Sequence, residues 1–438
     1  KVFEFILRQT KKDVPVVAFY IRGLWESTFS KANKKFIKSY RTKSVAISYS
    51  KAFSKKHSTA NFIKDKVMNL TIESWRKHIK NLESIPCEIV NKMKEVGNHL
   101  IVADSTGIEL NGYKFLTASI IFKIELEKKI KGQNIALMLP TTAAGAFVNT
   151  SILMMAKTAV NLNYTADVDS VIKSVQSAEI KSLVTSKKFI EKLQEKGTDF
   201  NKLLELVNVI YLEDIKESLS NIKRIVIYAS VKILPSFLIK LFFVKKVPLQ
   251  ETALIMFSSG SEGIPKGIEL SHLNILGNTQ QFASILNVHD EDTVIATLPL
   301  FHAFGICVTT LYPLIEGVKM VAHPDPRDGL GIGKLIQKYK ATMMFGTSTF
   351  YRLYTINKKL DKKMFETLRF VVAGAEKLSP KVREDFKNRF DKDILEGYGT
   401  TETSPVASCN LPDIKIDEGQ IQKGQKLGSV GMPIPGTS

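Results

Sequence analysis

Cysteine is scarce in this 438-residue chain: Cys87, Cys307 and Cys409 lie far apart, with no CxxC or paired spacing. Scarcity of that kind argues against a disulfide framework or a thiolate zinc site, and makes a reducing compartment the default. Acidic residues are also in short supply, 43 against 62 Lys and Arg, which leaves a net charge of +19. No RNP-like, zinc-finger or helix-turn-helix pattern accompanies that excess, so nucleic acid is set aside as a partner. Internal repeats, low-complexity tracts and a signal-peptide pattern are absent as well. What is present is ordinary for a folded protein, 44% hydrophobic and 24% charged, enough for a large core and more than one domain.

The positive charge is uneven. Residues 1–100 hold 21 Lys and Arg against 8 Asp and Glu. A basic face of this kind suits anionic lipid headgroups or an acidic carrier protein, and a solvated Lys-rich surface is the plainer alternative. One segment raises a membrane question, Ile225–Val244 (IVIYASVKILPSFLIKLFFV). Lys232 and Lys240 fall inside it and Pro235 interrupts it, at about 2.5–3.5 kcal/mol for each central Lys in a span. An interfacial amphipathic hairpin fits it better than a span, and a buried helix pair stands beside that reading.

Val14–Ile21 reads as a buried β-strand, followed by a basic stretch and a second strand at Ser44–Tyr49. Residues 54–84 have a polar, helical pattern. From about Ile85 the rhythm changes. Strand-like pieces (Leu100–Ala103, Asn134–Leu139, Ser182–Thr185, Val207–Tyr211) alternate with helical ones (Leu116–Lys131, Ala143–Thr158, Val168–Ser177). Alternation predicts an α/β domain with a mostly parallel sheet.

The densest chemistry lies at Phe257-Ser258-Ser259-Gly260-Ser261-Glu262-Gly263-Ile264-Pro265-Lys266-Gly267, behind the apolar run Ala253–Phe257. Serine hydroxyls and unhindered glycine N–H groups can wrap phosphate oxygens, and Lys266 adds charge. It is not a Walker A loop, because Pro265 stands where glycine must precede the lysine.

That string resembles the phosphate-binding signature of the adenylate-forming superfamily, which includes acyl-CoA synthetases, luciferases and peptide-synthetase adenylation domains. Glu262 departs mildly from it, since threonine is commoner there. Further strings follow in the family's order: Leu298–Gly305 (LPLFHAFG), similar to the aromatic motif beside the acyl pocket; Val371–Leu378 (VVAGAEKL), similar to the strand and turn packing on adenine; Glu396–Thr403 (EGYGTTET); and Gly428–Gly436. The resemblance covers roughly residues 85–438. It implies an α/β fold, the large N-terminal domain of an adenylate-forming enzyme, using ATP and Mg²⁺.

The implied site follows residue by residue. Ser258, Ser259, Gly260, Ser261, Glu262, Gly263 and Lys266 would hold phosphates, while Gly374, Ala375, Glu376, Gly397, Tyr398, Gly399 and Thr400 would hold the nucleotide. Thr401 would offer a hydroxyl to the α-phosphate, and Glu402 is a hard oxygen ligand suited to Mg²⁺. Tyr398 presents an aromatic face to adenine. His302 joins the catalytic candidates as a residue lining the acyl or acceptor tunnel, not as a general base.

Within the superfamily, Leu162–Ala166, Ala178–Lys181 and Thr185–Phe189 are most similar to the bifunctional 2-acylglycerophosphoethanolamine acyltransferase/acyl-[acyl-carrier-protein] synthetases. Pro15–Trp25 is similar to the end of a glycerolipid acyltransferase domain. The expected organisation is therefore an acyltransferase remnant at 1–60, a connector at 61–84 and the adenylate-forming domain at 85–438. The family's small lysine-bearing domain and the acyltransferase His-x4-Asp pair are expected outside this stretch. Expected partners are a fatty acid and acyl carrier protein or coenzyme A, with an anionic membrane surface and a lysophospholipid for the whole protein. The expected location is the cytoplasmic face of an inner membrane. The string Asn98–Asp104 also spells His-x4-Asp, but its place after the acyltransferase-like tail makes it a coincidence.

Overall fold

The computed structural model describes residues 2–10, 14–23, 45–258, 265–286, 288–415 and 421–437. The chain forms two compact units, one of residues 1–82, 280–290 and 433–438, the other of 83–279 and 291–432.

In the first unit, Phe19–Arg22 pairs antiparallel with Ala46–Tyr49, and Pro15–Val16 with Phe53–Ser54. Helix Ala60–Ile79, N-capped by the Thr59 hydroxyl, packs on the longer ribbon. Its Trp75 is buried, with the Arg22 guanidinium 5.5 Å over the ring. The buried strand expected at Val14–Ile21 is instead a ribbon with one open face: Val17 and Phe19 are exposed. The β-branched and aromatic run carries strand propensity, but a two-stranded ribbon has a second layer on only one side. The 61–84 stretch is mostly this helix.

The second unit is built on two sheets. Among the described residues the smaller has six strands, ordered Asn208–Tyr211, Ser182–Thr185, Asn134–Met138, Thr158–Asn161, Thr252–Ser258, Lys266–Ser271. All its pairs are parallel except the last, an antiparallel hairpin. Eight of the nine strands of the larger sheet run Val406–Cys409, Leu395–Gly399, Phe370–Ala373, Met343–Gly346, Thr293–Ala296, Lys319–Ala322, Leu100–Asp104, Glu109–Asn111. The six central strands are mutually parallel, with an antiparallel strand at each end of that set.

The central strands are buried at every residue (Thr293–Ala296, Met343–Gly346, Phe370–Ala373), as they must be when helices cover both faces. Helix starts are set by short polar side chains: Thr142 accepts from the Gly145 N–H, Asp167 from Ser170, Ser186 from Phe189 and Thr347 from Phe350. Helix Val168–Ser177 has the expected bounds. Gly112–Glu127 and Ala143–Met154 end about four residues early, the latter because Thr158 already opens a strand.

Asp104 settles the spurious His-x4-Asp string. Its Oδ1 accepts from Thr106 N–H and Oγ1, and its Oδ2 from the Ala143 N–H, so the buried carboxylate shapes a turn and caps a helix. His99 precedes the Leu100–Asp104 strand and Asp104 ends it, about 16 Å apart by strand rise.

Candidate functional site

Parallel strands bring their carboxyl ends to one edge of a sheet, and loops there can converge although they are distant in sequence. Three of the recognised strings occupy that edge of the larger sheet. Leu298–Gly305 follows strand Thr293–Ala296, Gly374–Glu376 follows Phe370–Ala373, and Thr400–Thr403 follows Leu395–Gly399. They touch. A Cβ placed on Gly374 would lie 3.1 Å from the Phe304 ring and 3.8 Å from the Gly397 carbonyl oxygen. Gly374 itself donates its N–H to Gly346 O at 3.0 Å, and Ala375 takes a left-handed φ of +66°, a strained turn for a side-chain-bearing residue.

Two glycines are dictated by close approach. A Cβ on Gly399 would sit 1.9 Å from Pro405 O, and one on Gly305 would sit 2.0 Å from Pro299 O. The Gly399 contact folds Thr400–Thr403 tightly against its own strand. The Thr400 N–H donates to Thr403 Oγ1 at 3.0 Å, closing a one-turn helix over Thr401–Thr403. Tyr398 stands 52% exposed and Glu402 is exposed, with no ion pair to its carboxylate among the described residues. After Ala303 the backbone winds as a π-helix, Phe304–Leu311, a geometry that often marks functional sites.

The phosphate string lies on the smaller sheet, at its terminal hairpin. Ser258 and Lys266 pair directly across the two strands, so the loop between them is closed at its base. Ser259, Gly260, Ser261, Glu262 and Gly263 lie outside the described residues. Strand Lys266–Ser271 lies beside the Thr401–Thr403 turn, Cα atoms coming within 8 Å. The contact is fixed one helix later: Asn278 Nδ2 donates to Val406 O at 2.7 Å, and Val406 N–H donates to Asn278 Oδ1 at 3.1 Å. Between them His272 is buried, accepts from the Ile85 N–H at 3.3 Å and is driven by desolvation to a pKa of about 4. The strand that leaves the loop and the turn that carries Glu402 are therefore neighbours.

Other candidates have more local roles. The Glu376 carboxylate accepts from Thr349 N–H at 2.5 Å and Thr349 Oγ1 at 3.2 Å, at the N-terminus of helix Ser348–Ile356. Burial alone would raise its pKa, but these bonds outweigh it and lower the value. Glu376 thus holds its turn in place. His302 donates its backbone N–H to Pro299 O at 3.1 Å and sets its ring 4.7 Å from Phe301. Its side chain reaches solvent, yet desolvation by its surroundings still lowers its pKa. Phe301 in turn meets Tyr164 edge-on at 4.8 Å, so this motif leans on the loop after strand Thr158–Asn161.

Sequence reasoning missed the Thr347–Arg352 segment. Ser348, Thr349, Arg352, Glu376 and Lys377 line part of a cleft of about 480 Å³. Its signal was visible as an apolar run, Met343–Phe345, ending in Gly-Thr-Ser-Thr.

No group of three or more His, Cys, Asp or Glu side chains could hold a metal among the described residues. Mg²⁺ does not need one. It is usually held by one or two carboxylates with water and substrate phosphates, and the exposed Glu402 is one carboxylate of that kind.

Comparison with known proteins agrees with this fold. A family profile described as AMP-binding enzyme matches residues 127–438, and the chain belongs to that family. It is 31% identical to a long-chain-fatty-acid–CoA ligase of Yersinia pestis over 191 residues, 43% of this chain and 32% of the relative. It is 34% identical to a probable 4-coumarate–CoA ligase 1 of Dictyostelium discoideum over 192 residues, 43% of this chain and 33% of that protein. These matches span about a third of the curated relatives. A benzoate CoA ligase structure from Burkholderia xenovorans LB400 superposes with a TM-score of 0.65 at 16% identity, covering 81% of this chain and 66% of that one. The apo MatB structure from Rhodopseudomonas palustris gives 0.63 at 17%, covering 80% and 65%. At these identities the structural likeness is one of fold, that of an adenylate-forming N-terminal domain.

Proposed function

We propose that this chain supplies the nucleotide- and acid-binding part of an acid–thiol ligase that activates a fatty acid as its acyl-adenylate. The observation that carries the reading is the neighbouring placement of the Ser258/Lys266 hairpin and the Thr401–Glu402 turn. In the proposed reaction a carboxylate oxygen attacks the α-phosphorus of ATP. The new O–P bond forms as the α–β bridging bond breaks and pyrophosphate leaves. Lys266 and the N–H groups of its loop would neutralise phosphate charge, and Thr401 would donate to an α-phosphate oxygen. Tyr398 would lie against adenine, beside the turn that carries Gly374 and Ala375. Bound at Glu402, Mg²⁺ would offset charge on the phosphate oxygens.

Leu298–Phe304 and its aromatic neighbours would form the wall of the acyl pocket, a long-chain acid being favoured by the ligase relatives. For the second half-reaction the sequence resemblance favours the thiol of acyl carrier protein, with residues 1–60 belonging to an acyltransferase that passes the chain to a lysophospholipid at the cytoplasmic face of a membrane. The names of the relatives favour coenzyme A instead. Supplying the intact protein with palmitate, Mg·ATP and either thiol separates the two: acyl carrier protein alone accepting the chain supports the first reading, and coenzyme A alone overturns it. Palmitate-dependent ATP–pyrophosphate exchange tests the adenylation itself. Its absence would leave a non-catalytic scaffold as the better reading.

A further inference from the structure

The segment Ile225–Val244 takes neither a spanning nor a fully buried form. It forms two helices, Asn221–Ile233 and Ser236–Phe243, separated at Leu234-Pro235 where the helix cannot continue. No helix among the described residues is long and apolar enough to cross a membrane. One face of each helix packs inward: Ile227 and Val231 on the first, toward helix Gly112–Glu127, and Ile239 on the second, toward helix Ile85–Val96.

The outward face is also apolar. Ile222, Ile225, Val226 and Ile233 form one stripe at helical spacing, and Phe237 and Leu241 form another, with Phe242 beside it. Ile233 is 78% exposed and Leu241 71%. A surface of seven large apolar side chains is unusual on a protein exposed only to water. The hairpin is nevertheless held rigidly. Lys94 Nζ donates to the Val231 and Lys232 carbonyls at 2.5 and 3.1 Å, Lys223 pairs with Glu125, and Lys240 and Lys245 pair with Glu83 and Glu127, each at 2.5 Å.

Charge identifies the occupant. Residues 221–246 contain six Lys and Arg and no Asp or Glu. Arg224, Lys232 and Lys246 have no carboxylate partner among the described residues. A second copy of this chain would bring the same positive charge against itself. We propose that this hairpin lies in the plane of an anionic membrane surface, its outward apolar side chains entering the headgroup boundary and the cations without a carboxylate partner meeting lipid phosphates. This inference is independent of the adenylation reading.

The test is co-sedimentation of the intact protein with phosphatidylcholine vesicles containing or lacking about 30% phosphatidylglycerol, at low and high salt. Two variants accompany it, Phe237→Ser with Leu241→Ser, and Lys232→Glu with Lys246→Glu. All four positions are outside the proposed nucleotide site. The proposal expects binding to the anionic vesicles that falls at least tenfold in each variant, with unfolding midpoint and Mg·ATP affinity unchanged. Absence of binding, or binding that survives both variants, overturns it. So would an apolar variant that abolishes self-association of a protein that never bound vesicles, since that result assigns the face to a second copy.

Discussion

The two ends of the larger sheet use polar side chains to opposite effect. At the amino ends of its parallel strands, Asp292, Thr342 and Arg369 precede three different strands and close on one another. Arg369 Nε donates to Asp292 Oδ1 at 2.9 Å, a second guanidinium nitrogen reaches Oδ2, and Thr342 Oγ1 donates to Oδ1 at 2.6 Å. Asp292 is 2% exposed. At the carboxyl ends Tyr398 and Glu402 stand open instead, and only the turns beneath them are tied down. Polar groups fully spent on each other fix strand positions. Polar groups left unspent above a fixed turn are available to a ligand.

That contrast can be broken from either end. Arg369→Ala strands a buried carboxylate and is expected to cost about 3–5 kcal/mol, read as a lower urea midpoint with Mg·ATP affinity per folded molecule retained. Glu402→Gln should do the reverse, lowering palmitate-dependent pyrophosphate exchange by about 10²–10³-fold while the urea midpoint stays put. If Glu402→Gln destabilises the fold and spares exchange, the carboxyl end is structural too.

His272 belongs with the spent groups, and its protonation supplies the pH test. Its folded pKa of about 4 lies below the usual 6.5 or so of an unfolded histidine. The unfolded state therefore binds more protons between these values, and stability falls as pH drops from about 6.5 towards 4. The loss at the acid end should reach about 2–3 kcal/mol, and a His272→Gln variant should show a flatter profile in that window. An unchanged profile would remove His272 as its source. Smallest of all, Glu376→Gln should leave stability within about 0.5 kcal/mol at neutral pH, since the group is exposed and screened. A severalfold rise in KM for ATP with kcat retained would mark the displaced Ala375 turn; no change in KM would remove Glu376 from the site.

The strings at 298–305, 371–378 and 396–403 were legible through their resemblance to a known family, and close backbone approach supplies the physical reason for glycine at Gly305 and Gly399. Strand positions were legible from apolar runs bounded by turns. Long-range facts were not. Asp292 and Arg369 are 77 residues apart, and nothing local shows that they meet. The helix pair at 221–243 has core-like composition, yet only tertiary placement decides that its second apolar face looks outward. Val14–Ile21 failed for the same reason, since strand propensity says nothing of whether a layer covers the strand.

The central claim is that the hairpin at Ser258 and Lys266 and the acidic turn at Glu402 serve one nucleotide. Calorimetric titration of Mg·ATP into the intact protein, Lys266→Ala, Glu402→Gln and the double variant tests it directly. One shared site predicts that each single change weakens binding at least tenfold and that the double loss departs clearly from the product of the two. Affinity untouched by either change, or two losses that simply multiply, would contradict it.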